Sequence, residues 1–260
     1  MLLGVNIDHI AVLREARRIN DPDPLDAVSI AVAQGADQIT IHLREDRRHI
    51  NDYDVERIIK HSKVPVNVEC AVDPDIIELL GELKPNRVTF VPEKREEVTT
   101  EGGLNFDDAN YANLDKATHY LKAREIETSF FIDPTKEAIR ASCGIGVSWV
   151  ELHTGSYANI FAMLYSNLRF TPHSIKDLDV ERSRLQKMLK KSIDDIKTAA
   201  TEAQEYGLKV AAGHGLNYQN VSEICKIEYI EELNIGQSII ARSVFSGFEN
   251  AVRDMVKLVK

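Results

Sequence analysis

Imidazole and carboxylate side chains recur in this sequence where short apolar runs end. His42 closes one run, and His214 lies between two glycines in the segment 212–215. Glu69 and Glu151 occupy polar positions within two further runs. Imidazoles and carboxylates whose pKa values are shifted by their surroundings carry out general acid and base catalysis near neutral pH. The pattern therefore indicates a site whose chemistry is proton transfer.

Apolar and polar residues alternate along these runs. Side chains alternate along a strand, so in a barrel one set faces the helices and the other faces the axis. The apolar set suits the helix side and comprises Val5, Ile7, Ile39, Ile41, Val66, Val68, Val150 and Leu152. The polar set then points inward and comprises Asn6, Asp8, Thr40, His42, Asn67, Glu69, Glu151 and His153. One buried histidine, such as His153, is ordinary when hydrogen-bonded. So many costly polar groups together favour a functional site.

The runs and the segments between them predict alternating strands and helices. The eight predicted strands are Leu3–Asp8, Gln38–His42, Val64–Glu69, Arg87–Val91, Thr128–Ile132, Trp149–His153, Leu208–His214 and Glu232–Gly236. Asp23-Pro24, Asp73-Pro74 and Asp133-Pro134 each combine an N-cap carboxylate with proline at the first helical position. Gly35 is placed to end the helix that follows Asp23. Strands joined by helices in this way are parallel.

The number and length of these units predict the fold class. Eight units in 260 residues match an α/β protein, a (β/α)8 TIM barrel with a single domain over residues 1–260. A doubly wound open sheet is the alternative, but the first strand lacks a G-x-G-x-x-G turn and nothing divides the chain into halves. An extra segment, Asn159 to Gln186, follows strand six. Its apolar side chains predict a packed excursion: Phe161, Met163, Leu164, Tyr165 and Phe170.

Further segments contain residues that could bind substrates. Gly215 after strand seven and Gly236-Gln237 after strand eight are expected to open helices whose N–H groups bind phosphate, although glycines also serve tight turns. The charged loop 91–103 ends in Gly102-Gly103 and is either a solvated loop or a lid. The basic run from Arg44 to His49 is either a solvated face or a contact to an anionic substrate.

Composition excludes several classes of protein. A net charge of −9 and a pI near 5.4 argue against a nucleic-acid partner, while small anions remain possible ligands. Three isolated cysteines fit a reducing compartment better than a disulfide framework or a cysteine-rich zinc site. The first residues do not read as a signal peptide, and no stretch is long enough to span a membrane. We therefore expect a cytoplasmic protein with no membrane partner.

Seven motifs, in order and spread over nearly the whole chain, resemble those of the pyridoxine 5'-phosphate synthase family. They are GVNIDHIA (4–11), HLREDRRHI (42–50), VPEKR (91–95), VTTEGGL (98–104), HTG (153–155), AGHGL (212–216) and ELNIG (232–236). The resemblance implies a transferase of vitamin B6 biosynthesis with no metal or organic cofactor. It condenses 1-deoxy-D-xylulose 5-phosphate with 3-amino-2-oxopropyl phosphate to pyridoxine 5'-phosphate, phosphate and water. The resemblance also implies a homo-oligomer, an octamer, in which Arg17 reaches a neighbouring subunit's site.

The resemblance assigns roles to residues through the matching motifs. His42 and Glu69 correspond to the family's proton acceptors, His214 to its proton donor and Glu151 to its transition-state stabiliser. Contacts to deoxyxylulose phosphate are implied for Asp8, His9, Arg44, His49 and Thr99. Contacts to the amino ketone phosphate are implied for Asn6, Arg17, Gly215, Gly236 and Gln237. Position 237 departs from the family pattern, which has histidine there, so its implied contact is through a side-chain amide or the backbone N–H.

Two other classes of function compete with this interpretation. A metal-dependent hydrolase could use His9, His42, His153 and His214 as ligands at the barrel mouth. The absence of an H-x-H pair and the phosphate-type glycines weigh against it. A barrel that only binds its ligands is the third class, and the costly inward charges weigh against that one.

Overall fold

Eight parallel strands close into a barrel in the order of the chain, and β1 pairs with β8. The computed structural model describes residues 1–93 and 102–260. The strands are β1 Leu2–Asn6, β2 Gln38–His42, β3 Val66–Cys70, β4 Arg87–Phe90, β5 Glu127–Ile132, β6 Trp149–His153, β7 Lys209–Gly213 and β8 Ile230–Ile235. The predicted (β/α)8 barrel is confirmed and the open sheet is wrong. Because no strand is left at an edge, every strand donates and accepts on both sides.

Helices follow the strands and cover the outside of the barrel. In the described residues they are α1 Asp8–Glu15, α2 Pro24–Ala33, α3 Asp52–His61, α4 Pro74–Leu83, α5 Asp108–Lys122, α6 Lys136–Ile145, α7 Gly155–Tyr165, α8 Arg182–Glu205, α9 Val221–Ile224, α10 Gln237–Ser246 and α11 Phe248–Val259. Within that part of the chain no helix has the length and apolarity that a membrane crossing requires.

Two of the three predicted aspartate caps are confirmed. Asp23 Oδ1 accepts a hydrogen bond from the N–H of Leu25 at 2.9 Å, and Asp73 accepts from the next two N–H groups of α4. The third is wrong, because α6 begins later and Thr135 caps it. Asp133 lies just beyond β5, where its carboxylate pairs with His153 across the barrel mouth. A tertiary partner therefore competes with the local cap.

The predicted strand phase is confirmed by contacts inside the barrel, where Thr40 of β2 and Glu151 of β6 both hydrogen-bond to Asn234 of β8. The apolar alternate residues lie between sheet and helices, where Val5, Ile39, Ile41, Val68 and Val150 are completely buried. Several strand ends differ from prediction by one or two residues. Asp8 belongs to the first turn of α1 rather than to β1, and His214 lies just past β7. At these two strand ends the polar residue therefore lies just past the last residue of the strand, at the mouth of the barrel.

The lower half of the barrel interior holds a buried ion pair that the sequence pattern did not reveal. Arg87 at the start of β4 pairs with Glu232 of β8, and both side chains are 4% exposed. Arg87 also donates to Gln38 Oε1 at 2.8 Å, and its guanidinium lies 4.3 Å from the centre of the Trp149 ring. Gln38 donates in turn to Glu232 at 2.9 Å. This network fixes four strands beneath the site.

The extra segment after β6 forms a small apolar core of its own. Ile160, Met163, Leu164 and Leu185 are buried together, and a turn of 3-10 helix at Leu168–Phe170 packs beside them. The predicted packing is therefore confirmed for Met163 and Leu164, while Phe161 is half-buried against Tyr157. It is wrong for two residues, since Tyr165 is 50% exposed and Phe170 is 86% exposed. Aromatic content alone does not reveal which side chains the fold covers.

Candidate active site

The carboxyl ends of the strands gather the predicted acids and imidazoles at one mouth of the barrel. Parallel register places His42 of β2 opposite Glu69 of β3. Glu151 lies in β6 beside β7, and His214 follows β7 directly. These four residues come from distant parts of the sequence, and the closed barrel brings them to one end, where barrel enzymes place their catalytic groups.

Asp8 ties the first two strands together at this mouth. Its Oδ1 accepts a hydrogen bond from the backbone N–H of His42 at 2.8 Å. Its Oδ2 accepts from the Asn6 side-chain amide at 2.9 Å, and Asn6 Oδ1 accepts from the Asp8 N–H at 3.0 Å. Asp8 is 7% exposed. The structure thus confirms that Asn6, Asp8 and His42 are neighbours, and it holds them rigidly.

Glu69 is surrounded by other acids. Burial raises its pKa well above the ordinary value, and the negative charges of Glu151 and Asp8 raise it further, against a smaller lowering effect of Arg87. A carboxyl group in such surroundings holds its proton at neutral pH more readily than an exposed glutamate does. Once ionised, it is a strong base for a carboxylate, which suits proton abstraction from carbon.

Glu151 is held from below by an amide network. Its Oε2 accepts a hydrogen bond from Asn234 Nδ2 at 2.7 Å, and Thr40 Oγ1 donates to Asn234 Oδ1 at 3.0 Å. Glu151 is 3% exposed. Burial raises its pKa to about 7, and the negative charge of Glu232 also raises it. The Asn234 hydrogen bond and the positive charge of Arg87 act in the opposite direction and lower the pKa. Gly213 is required beside it, because a Cβ there would collide with Glu151 Oε1. Glu151 is therefore able to gain or lose a proton near neutral pH.

His214 has the most constrained backbone in the site. Its φ of 77° lies in the left-handed region, which non-glycine residues rarely adopt. Its ring lies edge-on to His153, with centroids 5.1 Å apart. Burial, with a smaller effect of His153, lowers the pKa of His214 to about 4. His153 in turn pairs through Nδ1 with Asp133 Oδ1 at 3.0 Å.

The two glycine loops differ from one another. Gly236 caps α10 and lies against Asn6, where a Cβ would come within 2.8 Å of the Asn6 Cβ. Gln237 begins that helix and is exposed, so its amide and N–H are accessible. Gly215, with φ of 82°, does not open a helix as predicted, because α9 begins only at Val221. Asn220 Nδ2 donates to the Gly215 carbonyl and holds that turn.

The predicted anion contacts lie around His42. His49 is half-buried with its ring centroid 6.3 Å from that of His42, and its pKa is lowered by burial, with Asp8 acting in the opposite direction. Arg44 is 3% exposed, with Nε 3.8 Å from Asp46 Oδ1. His9 is half-buried in the first turn of α1. These residues are brought to the rim of the site.

One predicted residue of the described chain lies away from the site. Arg17 lies in the exposed turn after α1, outside the buried cluster. Thr99, and the central part of the predicted lid loop, fall outside the described residues.

Sequence reasoning missed two residues that contact the predicted ones. Asn234 holds Glu151 from β8 and occupies an inward strand position, which its alternation with Leu233 and Ile235 could have indicated. Glu93, in the motif VPEKR after β4, places Oε1 2.6 Å from His42 Nε2. Its position just beyond a strand end was the available signal.

One group of side chains has the spacing of cation ligands. Within residues 1–93 and 102–260, the sole such group is Asp8, His42 and Glu69, whose ligand atoms lie within 4.8 Å of one another. The histidine set of the hydrolase alternative is not supported, because His42 is grouped with acids while His153 and His214 pair with each other. Asp8 already accepts hydrogen bonds at both oxygens, and His42 Nε2 is bonded to Glu93.

The catalytic activity is expected to be unchanged after exhaustive chelation, because proton transfers by His42, Glu69, Glu151 and His214 need no metal. The measurement is turnover after dialysis against a strong chelator, with the metal content checked by mass spectrometry. A matched sample reloaded with Zn²⁺, Mg²⁺ or Mn²⁺ is the control. Loss of activity on chelation, with recovery on adding one ion, would contradict the expectation, and Asp8, His42 and Glu69 would then be the ligands to test by substitution.

A family model and individual relatives of this chain all point to one protein family. The family described as "Pyridoxal phosphate biosynthesis protein PdxJ" matches residues 3–260. The chain is 62% identical to the pyridoxine 5'-phosphate synthase of Aliarcobacter butzleri over 100% of its length and 99% of the relative's. It is 61% identical to the enzyme of that name from a Nitratiruptor species, over 100% and 97%.

Solved structures with low sequence identity share the fold. A phosphoribosyl anthranilate isomerase from Thermus thermophilus has a TM-score of 0.56 at 11% identity, covering 100% of this chain and 98% of its own. That similarity supports the barrel alone. With a family match over nearly the whole chain and relatives above 60% identity, the chain belongs to the pyridoxal phosphate biosynthesis protein PdxJ family.

Proposed function

We propose that this protein condenses 1-deoxy-D-xylulose 5-phosphate with 3-amino-2-oxopropyl phosphate to form pyridoxine 5'-phosphate, phosphate and water. The relatives named pyridoxine 5'-phosphate synthase support the assignment across the full chain. The observation that carries it is the gathering of Glu69, Glu151, His42 and His214 at one barrel mouth. Burial raises the pKa of Glu69 and of Glu151 and lowers that of His214.

The reaction is a series of proton transfers, and the site holds the groups for them. The substrate amine condenses with a ketone, so the enzyme needs no Schiff-base lysine. The condensation balances with the loss of one phosphate and two water molecules, so protons must leave carbon and reach these leaving groups as the ring forms and becomes aromatic. Glu69 and His42 act as bases in this proposal. His214 delivers protons, and Glu151 stabilises the charge that develops in the transition state.

Two phosphate groups must be bound at the same mouth. The N–H groups at the start of α10, beside Gly236 and Gln237, suit one phosphate because a helix N-terminus attracts anions. Gly215 contributes to that side of the site. Arg44 and His49, which follow β2 on the other side of β1, suit the other phosphate, with His9 beside them. In this proposal the carbonyl and amine groups of the two substrates then react beside Glu69 and Glu151.

His214 is expected to take up a proton when an anion binds. With its pKa lowered to about 4 by burial, the His214 imidazole is neutral at pH 7 without a neighbouring anion, and a neutral imidazole is a poor proton donor. A phosphate dianion beside Gly215 favours the charged imidazolium and so raises that pKa. Titration calorimetry with inorganic phosphate at pH 7, in two buffers of different ionisation enthalpy, measures the uptake.

The matched control for this titration is the variant His214→Gln, which keeps polarity and removes the titratable group. Proton uptake should fall in the variant by the share that belongs to His214. Equal uptake by both proteins would contradict the prediction and would require another residue as the donor.

We also infer a homo-oligomer, an octamer, in which Arg17 completes the neighbour's site. Arg17 is exposed in this chain, which suits a residue that acts on another subunit. Mixing inactive Arg17→Ala and Glu69→Gln variants should then restore activity, to about a quarter of wild type for random pairing. A mixture of Glu69→Gln with Glu151→Gln is the control and should stay inactive. An active monomer in sedimentation, or no recovery on mixing, would overturn the inference.

The proposed function is tested directly by supplying both phosphorylated substrates to metal-free enzyme. Pyridoxine 5'-phosphate is detected by its absorbance and by mass spectrometry, and phosphate release should match it in amount. Omitting either substrate should abolish both signals.

The small phosphorylated substrates and the three free cysteines fit a cytoplasmic location.

A further inference from the structure

Glu93 makes two contacts that hold its carboxylate against the site. Its Oε1 lies 2.6 Å from His42 Nε2, and its Oε2 accepts a hydrogen bond from the backbone N–H of Glu45 at 3.2 Å. Its side chain is 4% exposed, and that of His42 is 10% exposed. Both carboxylate oxygens of Glu93 are therefore hydrogen-bonded to the end of β2 and the segment that follows it, although Glu93 itself follows β4.

The charge of Glu93 decides what the contact with His42 means. Burial by itself would raise the pKa of Glu93, but the hydrogen bond and charge of His42, the Glu45 N–H and the Arg44 charge together lower it below its ordinary value. Glu93 is therefore ionised at neutral pH and can only accept hydrogen bonds. The proton in the 2.6 Å contact must then be carried by Nε2 of His42.

We propose that Glu93 is a positioning residue that keeps Nε2 of His42 protonated and thereby makes Nδ1 the atom of the ring that takes up and releases a proton. A neutral imidazole has one protonated and one unprotonated nitrogen, so fixing one atom fixes the other. A carboxylate hydrogen-bonded to a functional imidazole also fixes the orientation of the ring. This inference rests on the proposed function for the role of His42 as a base.

The neighbouring strands are consistent with this role. Asp8 holds the backbone of His42 through its N–H, so the main chain is fixed from the β1 side. Glu93 holds the far edge of the ring from the β4 side. Two acids, one just after β1 and one just after β4, thus fix one histidine at two points, while Glu69 lies directly opposite it in β3.

The tautomer is measured by solid-state NMR on sedimented protein with ¹⁵N-labelled histidine. The chain has eight histidines, and the signals of His42 are identified by their loss in the variant His42→Gln. At a pH where the ring is neutral, we expect a protonated Nε2 and an unprotonated Nδ1 in the wild-type protein. A protonated Nδ1 would overturn the proposal without reference to activity.

The variant Glu93→Met removes both carboxylate acceptors and keeps a side chain of similar length. It should shift the His42 signals toward the Nδ1–H tautomer and lower kcat about 10- to 100-fold, with smaller changes in the KM of either substrate. The matched control is Glu56→Met, which makes the same change at an exposed position of α3. Unchanged signals and unchanged kcat in Glu93→Met would overturn the proposal.

The two readouts separate this inference from the proposed function. If the wild-type protein shows the Nε2–H tautomer but makes no pyridoxine 5'-phosphate, the proposed function fails and the positioning role of Glu93 remains. If the protein is active but the tautomer is Nδ1–H, the positioning role fails alone.

Discussion

Glu69→Gln is expected to lower kcat by about a hundredfold or more while leaving the fold intact, as for the loss of a general base. The amide has the same size as the carboxyl group but cannot accept a proton at any working pH. The surroundings of Glu69 make it a strong base when ionised, because burial, Glu151 and Asp8 all raise its pKa. The effect should therefore fall on kcat rather than on substrate affinity.

The measurement is steady-state turnover with both substrates, together with circular dichroism to establish that the variant is folded. The matched control is Glu78→Gln, an exposed position on the helix that follows the same strand. Activity equal to wild type in Glu69→Gln would remove Glu69 from the mechanism.

Glu151→Gln is expected to lose activity and gain stability, and the gain should depend on pH. In the folded protein burial raises the pKa of Glu151 to about 7 from an ordinary value of 4.5. Well below pH 4.5 the carboxyl group is protonated in both the folded and the unfolded protein, so its burial adds no ionisation penalty to the free energy of unfolding. Above pH 7 it is ionised in both, and the folded state carries the full penalty, on the order of 3 kcal/mol at 1.36 kcal/mol per pKa unit.

Glutamine removes that penalty and keeps an oxygen that can accept the Asn234 hydrogen bond. The melting temperature of the variant relative to wild type should therefore rise between pH 5 and pH 8, while kcat falls about a hundredfold or more. Calorimetric scans at several pH values measure the difference. A melting difference that does not change with pH would mean that Glu151 keeps an ordinary pKa in the fold.

Local chemistry in the sequence accounts for much of the fold. Alternation with period two gave the correct inward and outward sets, because side-chain direction in a strand follows from the backbone alone. Asp23 and Asp73 each predicted a helix start, since the carboxylate reaches N–H groups two or three residues away. Eight repeats of strand and helix then left a closed barrel as the favoured arrangement.

Long-range pairing accounts for the failures. Asp133 has the sequence of a cap but pairs with His153, which is distant in sequence and close at the barrel mouth. Tyr165 and Phe170 are aromatic and exposed, because burial depends on which surfaces neighbouring helices cover. Asn234 and Glu93 were not identified, since their contacts with Glu151 and His42 cross between strands far apart in the chain.

The sequence by itself determined which residue types lie at the strand ends, and its motifs indicated the family. It could not determine the pKa values that make those residues useful, because burial and charge are properties of the assembled site. Only the closed barrel places Glu151 and Asp8 around Glu69, buries His214 beside His153 and brings Glu93 onto His42. An electrostatic interaction depends on distance through space, and sequence separation gives no measure of it.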